Sequence, residues 1–146
     1  MPKKATIGAA AYDLYVPEDV EIKGGRQIIS MGFSMELPHG YAATIQPRSG
    51  FSSKGIEVKV LSNDGEWTDY RLDSDVKRGL IDEDYRGNVG VILMTREYTY
   101  ARTILKKGTR IAQMQIIEVP QVELIEAEEL SDTDRGEGGF GHTGTK

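Results

Sequence analysis

The chain has 146 residues, 38% of them hydrophobic, and a formal net charge of −5. That length suits one domain, and the acidic balance argues against a general nucleic-acid-binding protein, which would carry a broad basic face. There is no cysteine and the histidines are His39 and His142 alone, so disulfides, thiolate chemistry and a histidine-rich zinc site fall away, and a Ser-His triad would need one of those two as its base.

From the N-terminus, basic Met1 to Lys4 is followed by ATIGAAAYDLY, too short for a signal-peptide core and interrupted by Asp13. No run approaches the roughly 20 apolar residues of a membrane span. The expectation is a soluble, intracellular protein of cytoplasm or nucleus. RQIISMGFSMEL (26–37) reads as a strand ending at the turn Pro38-His39-Gly40, and YAATIQ (41–46) as a short strand stopped by Pro47. KGIEVKVL (54–61) alternates apolar and polar residues. Residues 62–78 are polar and turn-rich, with Trp67 and Tyr70 embedded, and read as a loop. NVGVILMT (88–95), TYARTIL (99–105) and RIAQMQIIEV (110–119) read as strands. The acidic stretch with Glu118, Glu123, Glu126, Glu128, Glu129, Asp132 and Asp134 reads as a solvated face or linker. Residues 128–138 read as an arm leaving the core, ending in the glycine-rich RGEGGFGHTGTK (135–146). No segment keeps a helical period. Many short strands with frequent turns predict an all-β sandwich, jelly roll or barrel.

Three segments have chemical potential. In Pro47-Arg48-Ser49-Gly50, proline stops a strand and glycine frees the backbone. The arginine fork, serine hydroxyl and backbone N–H groups suit phosphate oxygens; alone, the segment reads first as an ordinary turn. In GLIDEDYRGNVGVILM (79–94), an apolar run, an acidic turn and a second apolar run predict a hairpin with Asp82 at a strand end. There the acid can orient a water and accept its proton, or be satisfied by backbone N–H groups. Asp82, Asp84 and Gly87 brush against a calcium loop, but Arg86 and Leu93 stand where ligands are needed, which rules out an EF-hand. In the tail, Arg135 and Phe140 among glycines could pair with a phosphate and stack on a base, or the tail could be a disordered end. It carries no Walker spacing. Asp13 in AAAYDLY and Gln113 in RIAQM are uninformative singly.

Taken in order, AAAYDL, PRSG, GLIDEDYRGNVGV, RIAQM and RGEGGFGHTG resemble the motifs of the trimeric dUTPase family. The resemblance covers nearly the whole chain outside 59–78. It implies an all-β, distorted jelly-roll or β-clip-like fold, with a core over 1–127 and a C-terminal arm over 128–146. It implies a homotrimer with shared sites, each completed by a neighbour's arm. It also implies magnesium-dependent hydrolysis of dUTP to dUMP and diphosphate, limiting uracil in DNA. Carried over by motif, Asp82 resembles the catalytic aspartate that positions the attacking water. Tyr85 resembles the tyrosine packed under the deoxyribose. The segment from Gly79 and Ile81 to Val89 and Gly90 would frame the nucleoside, with backbone near Val89 and Gly90 reading the uracil edge. Arg48, Ser49, Gly50 and Gln113 would hold phosphates, and Asp13 would hold magnesium through water. Arg135 would bind the terminal phosphate and Phe140 would cap the base, with Gly141, His142 and Thr143 beside it.

The chain departs from the family's usual pattern at three places. His142 stands where serine is common, Ala11 where glycine is common, and residues 59–78 replace a short link. That insertion reads as an exposed loop, a subunit contact or a docking site for a protein partner, with Trp67 and Tyr70 as anchors. The rival readings are a dCTP deaminase-like relative and a dUTPase-fold regulatory protein that binds through the insertion.

Overall fold

The computed structural model describes residues 1–96 and 101–138. In chain order the strands are β1 (Tyr12–Tyr15), β2 (Val20–Glu21), β3 (Gly25–Ser30) and β4 (Tyr41–Gln46). The helix α1 (Ser49–Lys54) follows, then β5 (Ile56–Leu61), β6 (Trp67–Leu72), β7 (Ser74–Val76) and β8 (Gly79–Ile81). The chain closes with β9 (Gly90–Thr95), β10 (Thr103–Leu105) and β11 (Arg110–Glu118). They form three antiparallel sheets, ordered β1-β11-β4-β8, β2-β10-β5-β6 and β3-β9-β7. This is the all-β architecture expected. Among the described residues no helix is long and apolar enough to cross a membrane.

The sheets close on one core. Leu14, Ile29, Ile45, Leu72, Leu93, Leu105 and Ile111 are each no more than 2% exposed, and burying such a side chain contributes about 1.5–3 kcal/mol. The longest strand, β11, pairs with β1 on one side and β4 on the other, so Gln113 faces Asp13 and Gln46 across the two ladders. Proline has no N–H to extend a ladder, and β4 ends at Gln46, directly before Pro47. The short helix that follows buries Phe51. It stops at Gly55, where φ is +73° and a Cβ would run into the Leu72 carbonyl; only glycine fits.

The structure redraws four expected elements. The strand expected over 26–37 stops at Ser30, and the chain just beyond it bonds residue 89 instead, with Met31 N donating to Val89 O (2.8 Å) and Val89 N to Phe33 O (2.9 Å). The expected loop over 62–78 contains β6 and β7. Its β6 pairs with β5 from Leu61↔Trp67 to Ile56↔Leu72. The hairpin expected over 79–94 does not form as a ladder. Instead β8 pairs with β4, while β9 pairs with β3 and β7 in another sheet. The strand expected over 99–105 is resolved as Thr103–Leu105, with residues 99 and 100 outside the described ones. The other edges move by two residues: β5 begins at Ile56 rather than 54, and β9 at Gly90 rather than 88.

Candidate active site

Two clusters gather the predicted site residues. In the first, Asp13 on β1 is 7% exposed. Arg48, just before α1, places Nε 2.8 Å from Asp13 Oδ1. Arg110, the first residue of β11, places Nη1 3.3 Å from Oδ2. Gln113 donates from Nε2 to Pro47 O (3.0 Å), tying β11 to the backbone that leads into Arg48, Ser49 and Gly50. Beside them lies a cavity of about 220 Å³ whose lining includes Arg48, Gly50, Arg71, Thr109 and Arg110. Three guanidiniums line it, Arg48 and Arg110 sharing Asp13 and Arg71 paired with Glu57; three positive charges against two negative leave the cluster net positive, which suits a polyanion.

Arg110 and Arg71 were not anticipated. Arg110 opens the RIAQM motif but pairs with a residue 97 positions away. Arg71 sits on β6, in the segment read as a loop, and is held by an ion pair to Glu57 and a 3.5 Å bond to Lys54 O. A basic residue leading a strand was the available signal for Arg110. Nothing local marked Arg71.

The second cluster surrounds Asp82. This acid follows the last residue of β8 and is exposed. The adjoining cavity, about 280 Å³, is lined among others by Gly79, Ile81, Asp82, Tyr85, Val89 and Gly90. Tyr85 donates its hydroxyl to Asn88 O (3.1 Å), folding the ring back over its own turn; a Cβ on Gly87 would collide with that ring. Gly90 lies so close to Ile28 that a Cβ there would come within 2.8 Å of Ile28 Cγ2. Ile28 and Ile92, exposed apolar residues on the same wall, were also not anticipated. The N–H of Val89 is spent on Phe33 O.

The two cavities share no lining residue. Arg135 lines neither; its Nε donates to Gly138 O (2.7 Å) on the exposed C-terminal stretch. Phe140, Gly141, His142 and Thr143 lie outside the described residues. A larger cavity, about 610 Å³, lies against β2, β10, β5 and β6 and is lined by Asp19, Glu21, Lys59, Trp67, Arg102, Ile104 and Lys106. It contains none of the motif residues. Its charges are largely paired with one another, as in Lys106–Asp19 and Arg102–Glu21, the pattern of a solvated face.

No group of three or more metal-ligating side chains occurs among the described residues, so an all-protein metal cage is absent there. A lone carboxylate beside phosphate-binding groups is nevertheless a donor set that magnesium uses, because it keeps waters and takes phosphate oxygens. Asp13 retains acceptor capacity on both oxygens after one contact each.

The dUTPase family model matches residues 1–69 and 70–144. The chain is 43% identical over 148 residues to the deoxyuridine 5'-triphosphate nucleotidohydrolase of Hydrogenobaculum sp. (strain Y04AAS1), covering 100% of this chain and 91% of that protein. It is 40% identical over 147 residues to the protein of the same name from Variola virus, covering 99% and 86%. Among solved structures, it is similar to Staphylococcus bacteriophage 80alpha dUTPase with dUpNHpp, with a TM-score of 0.75 and 26% identity over 99% of this chain and 91% of that one. By sequence along its whole length and by its jelly-roll-like architecture, the chain belongs to the dUTPase family.

Proposed function

We propose that the protein hydrolyses dUTP to dUMP and diphosphate. The observation that supports this most is the position of Asp82: an exposed carboxylate at a strand end, beside a cavity that also holds Tyr85 and the side-chain-free Gly90. A narrow, glycine-walled cavity over a tyrosine suits a flat pyrimidine deoxynucleoside. The arginine cluster around Asp13 suits its triphosphate.

In this reading Asp82 orients a water in line with the α-phosphorus and accepts its proton. The water oxygen bonds to that phosphorus as the bond to the bridging oxygen breaks. The electron pair leaves with the diphosphate. Arg48, Arg110, Arg71 and the Ser49-Gly50 backbone hold the leaving oxygens and spread their charge. Gln113 keeps that backbone in place through Pro47 O. Magnesium, held by Asp13 through water, would supply charge neutralisation on the phosphates.

A homotrimer supplies what one chain lacks. With phosphate-binding and water-orienting groups in separate cavities, a site shared between subunits lets one chain's Asp82 meet another's Arg48. In this reading the core over 1–127 is followed by an arm over 128–146, although the exposed, strand-free stretch already starts after β11. β11 ends at Glu118, and beyond it Val122, Leu124, Ile125 and Leu130 stand exposed. Apolar side chains on an extended stretch gain most by packing on a partner. The arm would carry Arg135 to the terminal phosphate and Phe140 over the base, with Gly141, His142 and Thr143 alongside. A soluble location in cytoplasm or nucleus accords with a nucleotide substrate. The regulatory alternative has one footing: Trp67, 44% exposed, lines the 610 Å³ cavity, where a protein partner could seat a side chain.

The test is diphosphate release from dUTP, dCTP, dTTP and UTP, with magnesium and again with chelator. The expected result is release from dUTP alone, lost with chelator. Equal release from dCTP or UTP would contradict the substrate assignment.

A further inference from the structure

The loop that carries Asp82 is held from outside. Between Asp82 and Val89 it makes a series of contacts to a single distant segment, Ser30 to Gly40. Glu83 Oε1 is 2.8 Å from His39 Nδ1, and Glu83 Oε2 accepts the Gly40 N–H at 2.5 Å. Arg86 Nη2 approaches Glu36 Oε1 at 3.5 Å, while Arg86 Nη1 donates back to Glu83 O at 2.6 Å. Ser30 Oγ donates to Asn88 Oδ1 at 2.7 Å. Met31 and Phe33 bond the Val89 backbone.

Glu83 matters most in this series because of register. β8 pairs with β4 from Gly79↔Ile45 to Ile81↔Ala43. The ladder then ends, and Asp82 is the first residue past it. One residue later, Glu83 grips the amide of Gly40, just before β4 begins at Tyr41. Asp82 is thus bracketed: strand pairing on its N-terminal side, a two-oxygen carboxylate contact on its C-terminal side. Gly40 adopts φ +80°, the left-handed region that turns its N–H towards Glu83 at little steric cost.

We propose that Glu83 is a positioning residue for the reaction, a latch whose contacts to Gly40 N–H and His39 fix the Asp82 backbone so that its carboxylate meets the water in line. This rests on the dUTPase reading of the site and deepens it. Glu83 touches no substrate in this account and acts through its neighbour. The hydrogen bonds from His39 and the Gly40 amide hold its carboxyl below the usual glutamate range, so it is ionised, and accepting, at neutral pH.

The test compares wild type, Glu83→Ala and Glu83→Gln for kcat and KM on dUTP, with thermal midpoint and oligomeric state measured in parallel. Glutamine can still accept the Gly40 N–H and donate to His39, so it keeps the latch without the charge. Glu83→Ala is expected to lower kcat about 10- to 100-fold, the cost of a misplacement near 1 Å, with KM within about threefold. Glu83→Gln is expected to stay within about threefold of wild type in both. A folded Glu83→Ala protein turning over at the wild-type rate overturns the latch. So does a Glu83→Gln protein that folds but loses more than about tenfold in kcat, and this arm decides if the alanine variant does not fold. A wild-type protein releasing no diphosphate from dUTP would instead remove the functional reading, and the latch with it.

Discussion

The β5–β6 hairpin and the 82–89 loop are both polar and turn-rich, yet they are held in opposite ways. The hairpin is closed by its own turn and cross-strand pairs, with β5 also laddered to β10 at Val60↔Thr103 and Lys59↔Ile104. Its turn, Ser62 to Glu66, is closed by Ser62 N donating to Glu66 O (2.9 Å), with Gly65 at φ +87°. Its outer face is laced by Lys59–Asp69 (2.7 Å) and Glu57–Arg71, both directly cross-strand. The 82–89 loop has internal bonds, such as Tyr85 N to Asp82 O (3.2 Å). Its position, however, is set by residues 43–58 places earlier in the chain. A segment that must place a reacting group gains precision from a rigid external frame. A segment that only needs to exist can rely on its neighbours.

Substitutions in the loop should therefore act on turnover, and those in the hairpin on stability, Arg71 excepted because it also lines the Arg48 cavity. The largest effect is expected from Asp82→Asn, which should lower kcat by about 10²–10⁴ with nucleotide binding retained in calorimetry; near-normal turnover would remove Asp82 from its role. Deleting residues 135–146 should cost turnover while leaving the oligomer intact in sedimentation; full activity would mean that the arm is no part of the site. In the core shared by both regions, Leu93→Ala should cost about 2–5 kcal/mol in urea unfolding. Arg71→Ala should raise KM for dUTP about two- to fivefold, since its guanidinium is partly exposed and screened; an unchanged KM would confine Arg71 to the hairpin. Smaller still, Lys59→Ala should change stability by no more than about 1 kcal/mol and leave kcat alone.

A pH series separates the two regions further. Glu83 is held below its ordinary range by His39 and the Gly40 amide. A depressed carboxylate contributes stability above its unfolded value and loses it as pH falls through the folded one. The thermal midpoint should fall below about pH 4.3, and the fall should be shallower in Glu83→Gln. Asp19, held low by Lys106, and Asp64, held low by Ser62, titrate in the same direction, so the difference between variants isolates Glu83.

Much of the proposed site was legible because its residues travel in short motifs. Asp82 at a strand end, Arg48 after Pro47, and the all-β class all follow from local pattern. What escaped was set by distance along the chain. Residues 26–37 read as strand because they are rich in apolar and β-branched residues, but Met31 and Phe33 in the second half instead bond the Val89 backbone of another loop. WTDYRL reads as loop because its alternation is ionic rather than apolar; Lys59 and Glu57, which complete it, lie on the partner strand. The 79–94 segment reads as a hairpin because two apolar runs flank a turn, while their partners lie in different sheets.

The proposed site joins Asp82 to the Arg48 cluster, although in one chain they line cavities that share no residue. Mixing Asp82→Asn and Arg48→Ala proteins, unfolding and refolding them together, tests it most directly. Each variant alone should be nearly inactive. If sites are shared between subunits, random assortment should restore about a quarter of the wild-type rate. Mixed oligomers that form but remain as inactive as the parents would contradict the shared site.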